Sequence, residues 1–400
     1  MSNSQSGPRR LKRRTATLSL CIPVLIAGLT ACDDEDFLFE DKDSSVERTA
    51  PHRFDTVQAS LDSLVRDDGF PGALAAVHGR DGQVREYIAG VSDVATGQEV
   101  PVNGQVRIAS NTKMFVATVV LQLVGEGKIE LDAPVETYLP NLLRGDGIDG
   151  RKITVRQILQ HTSGLDDNDV ELASNYADVQ HTYFEPRQLL DIALAKKALF
   201  APGTGWSYSN PNYVVAGLLI QKVTGRPVGE EITKRIIDRI DLRDTYWPAT
   251  GEQTIRGNHP HGYFPDTNGS QLDVTEMDPS MGWAAGQLVG TPRDLNRFLT
   301  ALLNGELLKP EQLEQMRTTV DTPDFDTTGN ARYGLGIATF ELSCGGAAWT
   351  HGGDAPGYTS RNAATEDGRA ATVVVTGALT SLPAAQHVEQ ALHTALCAQP

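Results

Sequence analysis

The sequence is short of cysteine, with four in 400 residues, and of aromatic side chains, which make up 6% of it. So few thiols exclude a disulfide-dense miniature scaffold, and the 40% of apolar residues supply an ordinary globular core instead. No His/Cys cluster stands at zinc-ligand spacing, so no metal is expected, and nothing in the sequence implies a cofactor. Positive charge is also scarce: the net charge is −16. Binding phosphates takes clustered Lys and Arg, which excludes nucleic acid as a partner, and with it an electrostatic grip on anionic lipid. Internal repeats are lacking, and so is a comfortable membrane-spanning run, which needs ~20 apolar residues. The stretch from Ala16 to Ala31 reaches only 16.

That stretch follows Arg9, Arg10, Lys12, Arg13 and Arg14. A basic region before a short apolar one reads as a signal peptide, here over residues 1–31. Its end, Leu29-Thr30-Ala31-Cys32, resembles the lipobox of bacterial lipoproteins, where the Cys is lipidated and opens the mature chain. The expectation is an exported lipoprotein held to the outer face of the membrane through Cys32 alone. Plain secretion after cleavage behind Ala31 is the alternative. Residues 32–52, rich in Asp, Glu and Ser, read as an acidic tether. Cys344 and Cys397 then remain, and two thiols in an exported protein are expected to pair, with two buried free thiols as the alternative.

Residues 53–400 form the folded part. Val57, Leu61, Leu64 and Val65 recur at helical spacing, and two apolar runs flank Gly79-Arg80-Asp81-Gly82 as in a β-hairpin. Helical stretches fill residues 130 to 260 or so, punctuated by Gly and Pro, and strand signals return from Tyr333 to Leu342, Ala347 to Thr350, Arg361 to Thr365 and Ala371 to Val375. A helix closes the chain from Pro383 to Leu396. The pattern predicts an α+β fold: an antiparallel sheet built from both chain ends, flanked by helices, with a mostly helical insertion.

Three short motifs carry chemistry. Ser110-Asn111-Thr112-Lys113 opens an apolar helix after a predicted strand over Gln105 to Ile108. Residues i and i+3 share a helix face, so Lys113 reaches the Ser110 hydroxyl, and a desolvated Lys can serve as base to a Ser nucleophile. Alone, the motif reads equally as a Ser N-cap beside a surface Lys. Tyr208-Ser209-Asn210 lies in a loop before a helix, where a phenol near an ammonium can relay a proton and an Asn amide can hold a substrate amide. His351-Gly352-Gly353 ends a strand; the glycines admit close backbone approach, and the Asp354 N–H could complete an oxyanion hole with that of Ser110. Each alone has a plain turn or cap as its simpler explanation.

Together, in this order and each unique in the chain, they resemble the serine β-lactamases and penicillin-binding proteins, class C group, with its Tyr-x-Asn and its Lys or His opening the third motif. The chain is similar over residues 54 to 400 to the Streptomyces-type secreted D-alanyl-D-alanine carboxypeptidases, through Tyr138-Leu139-Pro140, Ser163-Gly164-Leu165, Tyr208 to Gly217, Trp283 and Leu342-Ser343-Cys344-Gly345. The resemblance supports the Cys344–Cys397 bridge. It implies an acyl-enzyme on Ser110, with Lys113 and Tyr208 moving the proton and His351 helping to protonate the leaving group. Asn210, Trp283, Gly353 and Asp354 would contact the substrate. It implies a carboxypeptidase-like peptidase acting as a monomer on a small-molecule or peptide substrate such as cell-wall peptide or a β-lactam. An esterase, a D-amino-acid amidase or aminopeptidase, a β-lactamase, and a penicillin-binding sensor that acylates without turnover are the alternatives.

The pattern breaks where carboxypeptidases of this type hold the substrate carboxylate. Gly352, Ala338 and Asp354 stand where they have Thr, Arg and Thr. These changes remove carboxylate-binding groups and add an acid, which disfavours a terminal carboxylate; Arg361, Thr380 and Ser381 are the candidates for compensation.

Overall fold

The strand signals at the two ends of the sequence meet in a single sheet. The computed structural model describes residues 56–167, 176–265, 270–322 and 325–398. The expected signal peptide, Cys32 and the acidic tether lie outside the described residues.

After helix α1 (Thr56–Arg66), strands β1 (Gly72–His78) and β2 (Val84–Asp93) form the predicted hairpin. A short strand β3 (Val106–Arg107) leads to helix α2 (Thr112–Gly125). Helices follow, among them α3 (Asn210–Thr224), before β4 (Val289–Gly290) pairs with β3 and helix α4 (Pro292–Leu303) begins. The C-terminal third supplies β5 (Ala338–Glu341), β6 (Ala347–Thr350), β7 (Gly353–Ala355), β8 (Tyr358–Thr365), β9 (Ala370–Val375) and helix α5 (Leu382–Cys397).

All neighbours are antiparallel, and β9 joins the halves by lying between β8 and β1. Both faces are covered, and side chains alternate between them with period two. On β1 and β9, Leu74 and Val374 face the core under α2 and α4, whereas Ala73, Ala75, Val77, Val373 and Val375 face α1 and α5. Small Ala residues on this strand pair leave room for helices on either side. Strands β6 and β7 are one strand in two parts: both pair with β8, and the chain breaks step between them at His351 and Gly352.

One expected strand is interrupted. The run from Tyr333 to Leu342 splits into Arg332–Tyr333 and β5, with Gly336 between them at φ +79°. A Cβ there would lie 2.4 Å from the Ala117 Cβ and 3.1 Å from the Lys113 carbonyl. The loop is pressed against α2, and only glycine fits both the dihedral and the space.

Cys344 and Cys397 are bonded, with Cα atoms 5.7 Å apart, which ties the β5–β6 turn to the end of α5. Closing a loop of 53 residues stabilises by about 4 kcal/mol in the chain-entropy model. Reduction, or Cys344→Ser, is therefore expected to lower the melting temperature by roughly 6 °C. Identical thermal unfolding curves with and without reductant would remove the bridge from the stability account.

Candidate active site

Strand β3 delivers the chain into a 3-10 turn, Ala109–Asn111, so Ser110 sits just ahead of α2 instead of inside its first turn. Ala109 takes φ +47°, a left-handed conformation that disfavours a residue with a Cβ and persists only where the surroundings enforce it. The enforcement comes from the C-terminal sheet. Asn111 Nδ2 donates to the Ile108 carbonyl at 2.7 Å and to Ser360 Oγ at 2.8 Å, while Asn362 Nδ2 donates to Asn111 Oδ1 at 2.8 Å. Gly353 then lies so near the turn that a Cβ would come within 2.3 Å of the Ile108 carbonyl. That contact brings Asp354 beside Ser110.

Lys113 is fully buried, and its Nζ lies 2.9 Å from Ser110 Oγ, 2.6 Å from Asn210 Oδ1 and 2.8 Å from the Ala285 carbonyl. As an ammonium it donates to Ser110; once unprotonated, the same contact runs from hydroxyl to amine, which is the proton transfer a Ser nucleophile needs. Nζ also stands 4.9 Å from the centroid of the Tyr208 ring. Ser110 and the two residues expected to move its proton, Lys113 and Tyr208, are thus together, and Asn210 with them.

His351 is placed differently from the expectation. Its Nδ1 lies 2.7 Å from the Gly352 carbonyl and its Nε2 2.9 Å from Tyr333 Oη. Nδ1–H donates to the carbonyl, so Nε2 accepts from the phenol, and neither nitrogen holds a proton for a leaving group. Burial first and Lys113 second push its pKa down to about 3, which keeps the ring neutral. His351 orients the site instead of titrating in it. His161 is buried behind Tyr208, ring centroids 4.4 Å apart, and its Nδ1 accepts from the Ser209 N–H at 3.1 Å. Burial and Lys113 hold it well below the usual histidine range as well.

Trp283 does not line the cavities at Ser110. The short helix Trp283–Gly286 turns Ala285 and Gly286 toward the nucleophile, so its one large side chain faces the other way, against Gly217 of α3. The indole borders a separate cleft with Tyr183 and Trp247.

Two cavities meet at Ser110. One, of about 330 Å³, has Tyr208, His351, Phe325, Asp326, Arg361 and Glu389 in its wall. The other, of about 390 Å³, is more apolar, with Phe264, Met277, Met281 and Leu379 beside Asn210 and Arg107. Ser110 and Asp354 belong to both. Asp354 is paired: Arg361 Nη1 and Nη2 reach its two oxygens at 3.0 and 3.3 Å. Its charge is therefore largely met within the wall, and Asp326 and Glu389 are the further acids on that side. Tyr333, Asn362, Asn111, Phe325 and Glu389 were not singled out by motif. Nothing local marks them: Asn362, for one, follows Thr359, Ser360 and Arg361 in a largely polar strand.

A Ser–Lys–Tyr constellation around a buried Lys113 on an antiparallel sheet, with a glycine-bearing strand against the Ser110 turn, defines a serine acyl-transfer hydrolase. The Beta-lactamase family model matches residues 57–395, and the chain belongs to that family of β-lactamase-like and penicillin-binding serine hydrolases. It is similar to the D-stereospecific amidohydrolase of a Streptomyces species, at 36% identity and a TM-score of 0.78, over 86% of this chain and 98% of that one. Similarity to the D-amino acid amidase of Ochrobactrum anthropi SV3 is 26% in identity and 0.74 in TM-score, over 85% and 96%. An esterase of Burkholderia gladioli is 31% identical over 47% of this chain and 50% of its own length. Penicillin-binding protein 4 of Amycolatopsis lactamdurans is 26% identical over 60% and 61%. The chain spans only half to three fifths of the length of the first curated relatives it matches.

The neutral histidines have a consequence for acid stability. Unfolded histidine takes up a proton near pH 6.5, and folded His351 does so only near pH 3, so the unfolded state binds more protons between these values. Stability is full above pH 6.5 and falls as pH drops. His351 alone should account for about 2 kcal/mol lost by pH 5. Urea unfolding at pH 7 and pH 5 should show His351→Gln, which cannot protonate, losing less over this interval than the native protein. An equal loss would mean that His351 is charged in the fold.

Proposed function

We propose that the protein hydrolyses amides and short peptides of D-amino acids through an acyl-enzyme on Ser110. Ser110 Oγ attacks the carbonyl as its proton passes to Lys113. The Ser110 and Asp354 peptide N–H groups serve the oxyanion, and Tyr208 hands the proton to the departing nitrogen. Water then attacks the ester and regenerates Ser110. Tyr208 lines only one of the two cavities, so the leaving group departs on that side and the acyl group occupies the apolar one beside Asn210.

The observation that carries the choice of substrate is the wall of the leaving-group side. Position 338 is a buried Ala, Gly352 offers no hydroxyl, Arg361 is engaged by Asp354, and Asp326 and Glu389 add negative charge. A departing amine or ammonium suits such a wall, and a free carboxylate does not. The likeness to a D-stereospecific amidohydrolase and a D-amino acid amidase supports the same reading. Carboxypeptidase activity on D-alanyl-D-alanine ends is the competing reading, and it requires Arg361 to leave Asp354 for the substrate.

The two readings separate on one pair of substrates. The C-terminal amide of a D-alanyl-D-alanine peptide should exceed its free acid in kcat/KM by at least about tenfold, some 1.4 kcal/mol. Preference for the acid would reject the amidase reading. Ser110→Ala should abolish turnover with the fold intact, and Lys113→Ala and Tyr208→Phe should each cost about 10³-fold or more, because members of such a unit fail together. Labelling of any other Ser by a chromogenic ester would displace Ser110 as nucleophile.

Export fits this chemistry, and the Cys344–Cys397 bridge supports an oxidising compartment. The mature chain should begin at a lipidated Cys32, as mass spectrometry of the protein from membranes would read. A different first residue removes the lipid anchor and leaves the enzymology untouched.

A further inference from the structure

Besides Arg361, which Asp354 pairs, two cations are buried at Ser110, and the acyl-enzyme chemistry uses only one of them. Lys113 serves the nucleophile. The other is Arg107, at the end of β3, 3% exposed and lining the apolar cavity. Its Nη2 donates to the carbonyls of Gln253, Thr275 and Met277 at 2.6, 2.9 and 3.3 Å. Its Nε is buried with no hydrogen-bond acceptor among the described residues. Asp278 is the carboxylate whose field reaches it, but Asp278 Oδ1 accepts from the Ser280 N–H, and no ion pair joins the two. Neutral carbonyls fix the guanidinium in place without cancelling its charge. A charge taken out of water is ordinarily paired, and the planar guanidinium fork matches a carboxylate. The rest of the cavity wall, with Phe264, Met277, Met281 and Leu379, suits an apolar stem.

We propose that Arg107 is a specificity-determining residue that binds a carboxylate at the far end of the acyl group. The acyl groups favoured are those in which an apolar stem separates the scissile carbonyl from an acid. The inference rests on the acyl-enzyme reading of Ser110, and it is independent of the choice between amide and free acid on the leaving-group side. A neutral acceptor would gain a hydrogen bond from Arg107, whereas an anion also meets its charge, so acid and amide termini should be distinguished.

The test uses p-nitrophenyl monoesters of glutaric, adipic and pimelic acids beside the corresponding ω-amides, which share leaving group and stem. The intact enzyme should favour the acid by tenfold or more in kcat/KM for at least one chain length, with the difference in KM. Arg107→Met should bring that ratio to about one, and Arg107→Lys should retain part of it. A role confined to clamping the Gln253–Met277 loop would lower both substrates alike. Amides equal to or better than acids at every length in the intact enzyme would overturn the proposal, as would an unchanged ratio in Arg107→Met. Should that variant fail to fold, the length series decides by itself. Release of nitrophenol from none of the esters would overturn the acyl-enzyme reading, and this inference with it.

Discussion

The burial of one amine organises this molecule. An ammonium out of water costs several kcal/mol unless oxygens surround it. Lys113 Nζ finds three of them, one in its own turn at Ser110 and two on remote parts of the chain, Asn210 at the start of α3 and the Ala285 carbonyl after the helical region. Satisfying the amine therefore fixes the nucleophile turn against two other segments at once. The same requirement explains why the neighbouring histidines are neutral. A second cation beside Lys113 would have to share those oxygens, and burial already disfavours one, so His161 and His351 remain unprotonated and lend only their geometry.

The sheet supplies the other half of the constraint. The turn at Ala109 is unfavourable for its own residue, and what holds it arrives from more than 240 residues later, through Asn111, Ser360 and Asn362. Asn362 Oδ1 also accepts from the His351 N–H at 3.3 Å, so one Asn joins the nucleophile turn to the break between β6 and β7. The close approach of Gly353 to Ile108 is the steric counterpart of that link. The Ser110 turn, made at one end of the sequence, is thus held by residues made at the other, which is what closing the sheet with β9 between β8 and β1 accomplishes.

Local pattern carried the parts of this arrangement that depend on local pattern. The β1–β2 hairpin, the apolar α2, the closing helix and the split of the sheet between chain ends all follow from periodicity and turn residues, and the three motifs name Ser110, Lys113, Tyr208 and Asn210. What the sequence withheld depends on direction and on partners. Trp283 has the residue type of a channel wall, yet the hand of a four-residue helix sends its ring to α3. His351 has the residue type of an acid, yet Tyr333 and the Gly352 carbonyl occupy both its nitrogens. Arg107 passes as a strand residue until its side chain is seen lining a cavity.

Asp354 makes the point about charge most sharply. Compared position by position with a carboxypeptidase pattern, it is an added acid facing the substrate, and two unit charges ~5 Å apart at an effective dielectric of ~20 would repel by ~3 kcal/mol. In the fold, strands β7 and β8 form a hairpin in which Thr359 stands opposite Asp354 and Arg361 follows two residues along, diagonally across, and the two charged side chains meet through both oxygens and both terminal nitrogens. Most of the repulsion is thereby cancelled before a substrate enters. The cation that carboxylate recognition needs is not missing from this wall; it is occupied. On the proposed mechanism, selectivity on the leaving-group side turns on what holds Arg361, and an amide and a free acid differ in whether they must compete with Asp354 for it. Arg107, across the nucleophile, has no such internal competitor among the carboxylates beside it. A charge in a wall therefore says little about preference until its partner is known, and the two arginines at Ser110 differ in that respect.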